Sequence, residues 1–187
     1  MNKDYLNSIP NNLSVPKDDG LCKHLLGMEI PEISLLTSSG DYIKLRRKES
    51  FRIILYFYPM TGRPDKTLPK NWNNIPGARG CTSENCSFRD HYDELIKLNA
   101  LPIGITTQSK EDIKEMVRRL KIHFDILSDY DLSFAKSLRL PTFSVDNKVY
   151  IKRLTLIVEN FKIVKVFYPI FPPDKHINDV LNWLKEN

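Results

Sequence analysis

The sequence lacks long apolar runs, since no stretch approaches the roughly 18 residues of a membrane-spanning helix. Residues 1–17 also lack the apolar core of a secretory signal peptide. Long basic runs are missing too: Arg46-Arg47-Lys48 and Arg118-Arg119 are short, although the formal net charge is +5. We therefore expect a cytoplasmic protein that binds neither membranes nor nucleic acids.

Cysteine is scarce, and the count of three is odd, which argues against a framework of structural disulfides. A structural zinc site needs four ligands, yet a second cysteine pair is missing and the four histidines are scattered. We expect neither a metal nor a cofactor. Cys22 stands alone and is expected to be a small buried hydrophobe, the competing interpretation being a partner thiol for Cys81 and Cys86.

The composition is that of a globular protein, with 41% hydrophobic and 27% charged residues and no internal repeat or low-complexity segment. Residues 1–20 are polar and carry Pro10 and Pro16, which indicates an N-terminal arm. The remaining residues, 21–187, are expected to form a single domain.

Apolar runs and helical periodicity alternate along the chain. The predicted strands cover 33–37, 42–45, 52–58, 101–106, 124–127, 153–158 and 161–167. The predicted helices begin at Cys81, Ser109, Asp129 and Pro173. This order indicates an α/β protein with a central mixed β-sheet flanked by helices and an N-terminal hairpin extension. A thioredoxin-like fold is one such arrangement.

A loop rich in proline and glycine, 60–80, joins the third predicted strand to the first predicted helix. Loops of this length without structure of their own are uncommon and are usually functional or mobile. Trp72 is expected to pack this loop onto the domain.

Cys81 and Cys86 admit three interpretations: ordinary core thiols, half of a metal site, or a reactive thiol with a resolving partner. The third has direct physical support. A thiol in the first turn of a helix faces unpaired backbone N–H groups and the positive end of the helix dipole, and both favour the nucleophilic thiolate.

The spacing of this pair makes a structural prediction. Residues five apart in an α-helix have Cα atoms about 8.7 Å apart, whereas a disulfide requires Cα atoms within about 7 Å. If both cysteines are helical when reduced, their sulfurs must be separated, and oxidation to a disulfide must unwind the first turns.

Several motifs in register resemble the peroxiredoxins of the alkyl hydroperoxide reductase and thiol-specific antioxidant family. The resemblance is strongest to the bacterioferritin-comigratory, or Q-type, group, in which a second cysteine follows the first by five positions. It runs from about residue 28 to the C-terminus. The segments that carry it are 57–59 (Phe-Tyr-Pro), 80–82 (Gly-Cys-Thr), 86–90 (Cys-Ser-Phe-Arg-Asp), 103–107, 127–129 (Leu-Ser-Asp) and 152–158.

The resemblance implies a thiol peroxidase that reduces hydrogen peroxide or organic hydroperoxides. Cys81 matches the peroxidatic cysteine, and Cys86 matches the resolving cysteine. The two would form an intra-chain disulfide after Cys81 is oxidised. Arg153 matches the arginine that stabilises the thiolate and the peroxide oxygens. A thioredoxin-type dithiol would reduce the disulfide and so recycle the enzyme. The enzyme would be a monomer or a homodimer. The supporting positions are Pro59, Gly80, Thr82 and Arg89.

The chain departs from the family pattern Pro-x-x-x-Thr-x-x-Cys. Ala78 stands in the place of the threonine and Asn74 in that of the proline, so 60–79 resembles an insertion. Thr61 is our candidate for the missing hydroxyl because it closely follows Pro59. Thr82 or backbone N–H groups could serve instead, or activity is weakened. The departure also leaves two other functions open, a disulfide exchanger without peroxide specificity and a non-catalytic redox sensor or binding module.

Overall fold

The computed structural model describes residues 13–46 and 51–187. The first part of the predicted arm and most of the 46–48 basic run lie outside these residues. The strands are β1 (Ser34–Thr37), β2 (Tyr42–Lys44), β3 (Arg52–Phe57), β4 (Ala100–Thr106), β5 (Ile126–Ser128), β6 (Thr142–Val145), β7 (Lys148–Ile151), β8 (Leu154–Glu159) and β9 (Lys162–Phe167). The helices are α1 (Cys81–Asp90), α2 (Tyr92–Lys97), α3 (Lys110–Leu120), α4 (Ser133–Ser137) and α5 (His176–Glu186).

Seven strands form one mixed sheet in the order β2-β1-β5-β4-β3-β8-β9. The pairs β3–β4 and β4–β5 are parallel, and the other neighbours are antiparallel. The predicted α/β class with a mixed sheet is therefore confirmed. The N-terminal hairpin β1–β2 is part of this sheet, because β1 pairs with β5.

The central strand β3 explains why the core has two halves. Successive side chains of a strand point to opposite faces, so Ile54 and Tyr56 enter one core while Leu55 and Phe57 enter the other. Helices α1, α2, α3 and α5 cover the first face, and α4 covers the second. The carboxyl end of β3 leads into the 60–79 segment and then into α1, which places Cys81 beside the first core.

The main differences from the sequence prediction concern three helices. The predicted helix at Asp129 begins at Ser133, because the Asp129 carboxylate accepts hydrogen bonds from the N–H groups of Phe134 and Ala135 and so caps α4. The last helix begins at His176 rather than at Pro173, after a turn in which Lys175 N–H bonds the Pro172 carbonyl. The long helix expected from Cys81 is interrupted at His91.

A second, two-stranded sheet, β6–β7, was not predicted. Most of its side chains are exposed or only half-buried, so the sequence there has no apolar run to mark a strand. The hairpin nevertheless has a clear role, since it supports the 60–79 segment.

The segment 60–79, which we call the active-site loop, has structure of its own. It contains a short 3-10 helix at Trp72–Asn74. Trp72 is buried, with ring centroids 5.0 Å from Tyr150 and 5.8 Å from Phe143, which confirms that it packs the loop onto the domain. At the other side of the loop, Arg63 and Lys66 form ion pairs with Asp112 of α3 at 3.1 and 2.8 Å. The loop is thus fastened to two different elements.

Across the described ranges, every helix is too short or too polar to cross a membrane.

Candidate active site

Cys81 is the first residue of α1, and the turn before it requires glycine. Gly80 adopts φ 94°, in the left-handed region. A Cβ at Gly80 would also overlap the Cγ of Pro173. Glycine therefore allows the main chain to pass close to Pro173 before α1 begins. Cys81, at the start of this helix, is buried, with only 2% of its surface exposed.

Arg153 lies in the short connection between β7 and β8, directly before β8, and its side chain reaches Cys81. Its Nη2 donates a hydrogen bond to Cys81 Sγ at 3.1 Å. The same nitrogen contacts the carbonyl oxygens of Gly77 at 3.2 Å and Arg79 at 3.0 Å, both in the active-site loop. The structure thus brings together two predicted site residues that are 72 positions apart.

Glu84 is a site residue that the sequence analysis missed. Its Oε2 accepts a hydrogen bond from Arg153 Nη1, and both side chains are buried. Oε1 is also buried and has no hydrogen-bond partner in the part of the chain that the structure describes. Burial raises the pKa of Glu84 to about 7, against the opposing effect of Arg153.

The protonation of Cys81 reflects opposing influences. Burial raises the pKa of Cys81, Arg153 and the backbone N–H of Met60 lower it, and the Glu84 carboxylate raises it. The net direction is upward, so the expectation of a lowered pKa is wrong for this arrangement. The thiol donates to the Ala78 carbonyl at 3.4 Å, a bond that favours the protonated form. Arg153 acts in the expected direction, but the loss of solvent outweighs it.

Helix α1 is tied down along its length. Tyr56 donates a hydrogen bond to Asn85 Oδ1, and Asn85 Nδ2 donates to the carbonyl of Cys81, each at 2.9 Å. The ring of Tyr56 stacks on Phe88, with centroids 4.1 Å apart. The first turns of the helix, and with them Cys81, are held against the central sheet.

Cys86 lies in the same helix and is half-buried. Both cysteines are free thiols within α1, which is the arrangement expected of the reduced state, and the remodelling on oxidation stays a prediction. Burial raises the pKa of Cys86, and the neighbouring Arg89 lowers it. Arg89 also forms an ion pair with Asp90 and donates to the Leu120 carbonyl at 2.6 Å. In this structure Arg89 therefore links α1 to the end of α3 rather than contacting Arg153.

The structure does not assign to one residue the role that the family threonine has beside the reactive cysteine. The Thr61 hydroxyl donates to Gln108 Oε1 at 3.1 Å, and no hydrogen bond joins it to Cys81 within the described ranges. Its role stays a prediction. The backbone N–H of the adjacent Met60 does contact the thiol, which is one of the expected substitutes. Thr82 is buried next to Cys81.

Pro59 marks the beginning of the active-site loop. Its carbonyl accepts a hydrogen bond from the Thr106 hydroxyl at 3.0 Å, which ties the start of the loop to the end of β4. This bond fixes the position from which Met60 reaches Cys81.

Cys22 packs in the core on the other face of the sheet from Cys81. It is 5% exposed, as expected for a small buried hydrophobe. Burial, assisted by Asp19 and Asp18, raises the pKa of Cys22 to about 12. A thiol with so little thiolate character is a poor nucleophile at neutral pH.

A buried cysteine at a helix start, an arginine donating to its sulfur and a second cysteine in the same helix define a thiol-dependent oxidoreductase. The chain belongs to the AhpC/TSA family, whose profile it matches over residues 73–167. The matched region includes Cys81, Glu84, Cys86 and Arg153.

Relatives place the chain among the peroxiredoxins. Peroxiredoxin Bcp of Escherichia coli is 28% identical over 160 residues, which cover 84% of this chain and 93% of the relative. Chloroplastic peroxiredoxin Q of Sedum lineare is 26% identical over 170 residues, with 90% and 82% coverage. This chain is accordingly an oxidoreductase of the peroxiredoxin type.

Solved structures share the fold. Peroxidoxin BcpB of Mycobacterium tuberculosis superimposes with a TM-score of 0.71 at 23% identity, covering 86% of this chain and 96% of that one. Peroxiredoxin Q of Xanthomonas campestris gives a TM-score of 0.65 at 20% identity, with 94% and 97% coverage. These similarities support the thioredoxin-like fold with the helices as described above.

Proposed function

We propose that this chain is a peroxidase that reduces hydroperoxides with Cys81 as the attacking thiol and Cys86 as the resolving thiol. The thiolate of Cys81 attacks the terminal peroxide oxygen, and the O–O bond breaks with its electron pair on the other oxygen. That oxygen takes up a proton and leaves as an alcohol or water, and Cys81 becomes a sulfenic acid. The thiolate of Cys86 then attacks that sulfur, an S–S bond forms, and the S–O bond breaks to expel hydroxide, which becomes water with the proton that Cys86 has lost. A thioredoxin-type dithiol reduces the disulfide by exchange and is itself oxidised.

The observation that carries this proposal is the 3.1 Å contact between Arg153 Nη2 and Cys81 Sγ. A guanidinium at this position stabilises the thiolate and can donate to the oxygens on which negative charge develops as the O–O bond breaks. Glu84 holds the same guanidinium from its other side. A redox-inert core thiol would need neither partner.

The remaining features of the proposal come from the sequence. The protein works in the cytoplasm as a monomer or homodimer, with residues 1–20 as an arm on the domain 21–187. The end of this arm is attached to the domain, because the Asp19 carboxylate accepts hydrogen bonds from Lys152 Nζ at 2.7 Å and from the Tyr168 hydroxyl at 2.9 Å. Pro59, Gly80, Thr82 and Arg89 shape the site around Cys81.

The test is steady-state peroxide turnover with thioredoxin and its reductase, combined with mass spectrometry of the peroxide-treated protein. Wild type is expected to turn over and to contain a disulfide between Cys81 and Cys86. Cys81→Ser should be inactive, and Cys86→Ser should accumulate sulfenic acid at Cys81 after one turnover. Cys22→Ser is the matched control and should retain turnover and the same disulfide.

Three outcomes would replace this proposal. A disulfide that joins Cys81 to Cys22 would remove Cys86 from the resolving role. Single-turnover oxidation without cycling, despite active thioredoxin, would identify a sensor rather than a peroxidase. Oxidation of Cys81 no faster than that of free cysteine thiolate would favour a disulfide exchanger.

A further inference from the structure

Two arginines from different helices flank the half-buried thiol of Cys86. Arg89 lies three positions further along α1 and donates a hydrogen bond to the Cys86 sulfur. Arg119 lies in the last turn of α3 and acts on the same thiol through its charge. The second cysteine of the helix is therefore beside two guanidinium groups, an environment that favours a thiolate.

The guanidinium of Arg89 is held in place by two further partners. Its Nη1 donates to the carbonyl of Leu120, the last residue of α3, at 2.6 Å, and its Nε donates to Asp90 Oδ1 at 2.7 Å. A positive charge is also the charge that the carboxyl end of a helix favours. The position of Arg89 beside Cys86 is thus fixed by the end of α3.

Arg119 is fixed in a similar way. Its Nε donates to Glu115 Oε1 at 2.7 Å, and its Nη2 donates to the carbonyl of Gly62 in the active-site loop at 2.9 Å. Both of these partners lie outside α1, and so does the Leu120 carbonyl that holds Arg89. The two positive charges therefore stay near Cys86 when the first turns of α1 unwind.

The other titratable groups that face Cys86 are Asp90 of α1 and Tyr56 of β3. Burial raises the pKa of Cys86, Arg89 and Arg119 lower it, and Asp90 raises it, with a net direction upward. Burial also raises the pKa of Tyr56, so its phenol stays neutral. The thiolate of Cys86 is consequently a minor form at neutral pH, and the two arginines keep its fraction from being smaller still.

We propose that Arg89 stabilises the thiolate of Cys86 in the step that forms the disulfide, and that Arg119 supplies a second positive charge to the same sulfur. This inference rests on the proposed function, in which Cys86 attacks the sulfenic acid of Cys81. Cys86 loses its proton, its sulfur bonds to the Cys81 sulfur, and the S–O bond breaks with its electron pair on the oxygen. The expelled hydroxide takes up the proton that Cys86 has lost and leaves as water.

The experiment treats the full chain with one equivalent of hydrogen peroxide, followed by rapid quenching, alkylation of the remaining thiols and mass spectrometry. This separates the formation of sulfenic acid at Cys81 from the later formation of the disulfide. Arg89→Gln should slow the second step about tenfold at pH 7 and displace its pH profile upward by about one unit, since one pKa unit is a tenfold change in thiolate fraction. The first step should be unchanged, because Arg153 and Glu84 are retained.

Three further variants show whether the charge is responsible. Arg119→Gln leaves the contact between Arg89 and Leu120 in place and should slow the second step in the same direction. Arg89→Lys keeps the positive charge, and its rate and pH profile should lie between those of wild type and Arg89→Gln. Arg118→Gln is the matched control, because it removes the same charge from an adjacent, exposed position and should behave as wild type.

The outcomes separate this inference from the proposed function. Disulfide formation at the wild-type rate in both Arg89→Gln and Arg119→Gln would overturn the inference. An equally slow second step in Arg89→Lys and Arg89→Gln, with the pH profile of wild type, would also overturn it, because the lost contact with Leu120 would then be the cause. Wild type that forms no sulfenic acid would instead refute the proposed function. If Arg89→Gln does not fold, Arg119→Gln and its control Arg118→Gln decide the question.

Discussion

Arg153 is paired with Glu84 inside the protein, and the same guanidinium donates to Cys81 Sγ at 3.1 Å. The arginine therefore serves two anionic groups at once, a carboxylate that is always near it and a thiolate that forms during the reaction. Whatever changes one of these partners changes the electrostatic environment of the other. Two predictions depend on this coupling.

Replacing Arg153 by lysine should slow the oxidation of Cys81. Lysine keeps a positive charge near Glu84, so the buried carboxylate is still compensated. It lacks the planar fork that contacts the sulfur and Glu84 with different nitrogens. We expect the second-order rate constant with hydrogen peroxide to fall about 100-fold in stopped-flow measurements. A rate within a few-fold of wild type, with an unchanged circular dichroism spectrum, would contradict this role.

Replacing Glu84 by glutamine should change how stability depends on pH. Burial raises the folded-state pKa of Glu84 from 4.5 to about 7, so the folded protein binds this proton more tightly than the unfolded chain. The stabilisation is fully present below about pH 4.5 and is lost as the pH rises through 7. Glu84→Gln removes this loss, because its amide stays neutral.

The measurement is the difference in unfolding free energy between Glu84→Gln and wild type across this range. It should shift by about 3 kcal/mol in favour of the variant between pH 4.5 and 7. Taking the difference cancels the other titrating groups that the two proteins share. A difference that does not depend on pH would show that Glu84 stays ionised throughout.

Oxidation should unwind the start of α1. Both cysteines are helical in the reduced state, and their Cα atoms are then about 8.7 Å apart, too far for a disulfide. Hydrogen exchange after one equivalent of peroxide should show loss of protection in the α1 amides, while α3 stays protected. Cys86→Ser is the control and should keep its protection. An oxidised structure with an intact α1 would exclude this mechanism.

Substituting alanine at two glycines should separate backbone strain from steric overlap. Gly80 and Gly27 both have left-handed φ values, 94° and 81°. An added Cβ at Gly27 meets nothing within 4 Å, whereas one at Gly80 overlaps Pro173. Gly27→Ala should therefore lower the unfolding free energy by only about 1 to 2 kcal/mol.

Gly80→Ala should lose clearly more stability than Gly27→Ala in urea unfolding, and it should also slow the oxidation of Cys81, since α1 starts at this turn. Equal losses in the two variants would mean that the Pro173 contact relaxes without cost.

The sequence predicted what depends on continuous apolar patterns. Runs such as 52–58 mark buried strands, and the periodicity after Ser109 marks α3 with its Ser109 cap. The β6–β7 hairpin was not predicted, because most of its side chains are exposed or half-buried and form no continuous apolar pattern. Single turns and caps, such as the Asp129 carboxylate at α4, depend on contacts made only after folding.

The candidate site divides in the same way. Cys81, Cys86 and Arg153 could be named from motifs, and the structure places Arg153 against Cys81. Glu84 could not be identified, because a carboxylate in a helix is normally exposed, and it is the distant Arg153 that compensates its burial here. The pKa of Cys81 was misjudged for a related reason: the favourable charges are visible in sequence, but the extent of burial is not.

The contacts that the active-site loop makes at the reaction centre are made largely by its main chain. The carbonyl groups of Gly77 and Arg79 accept hydrogen bonds from Arg153. The carbonyl group of Ala78 accepts one from the thiol of Cys81. Such contacts place little restriction on side-chain identity at most of these positions. Substitutions in this loop, including one at the position where a threonine is usual, are therefore compatible with the same main-chain contacts around the sulfur. Divergence in an alignment at these positions would be a poor guide to lost activity.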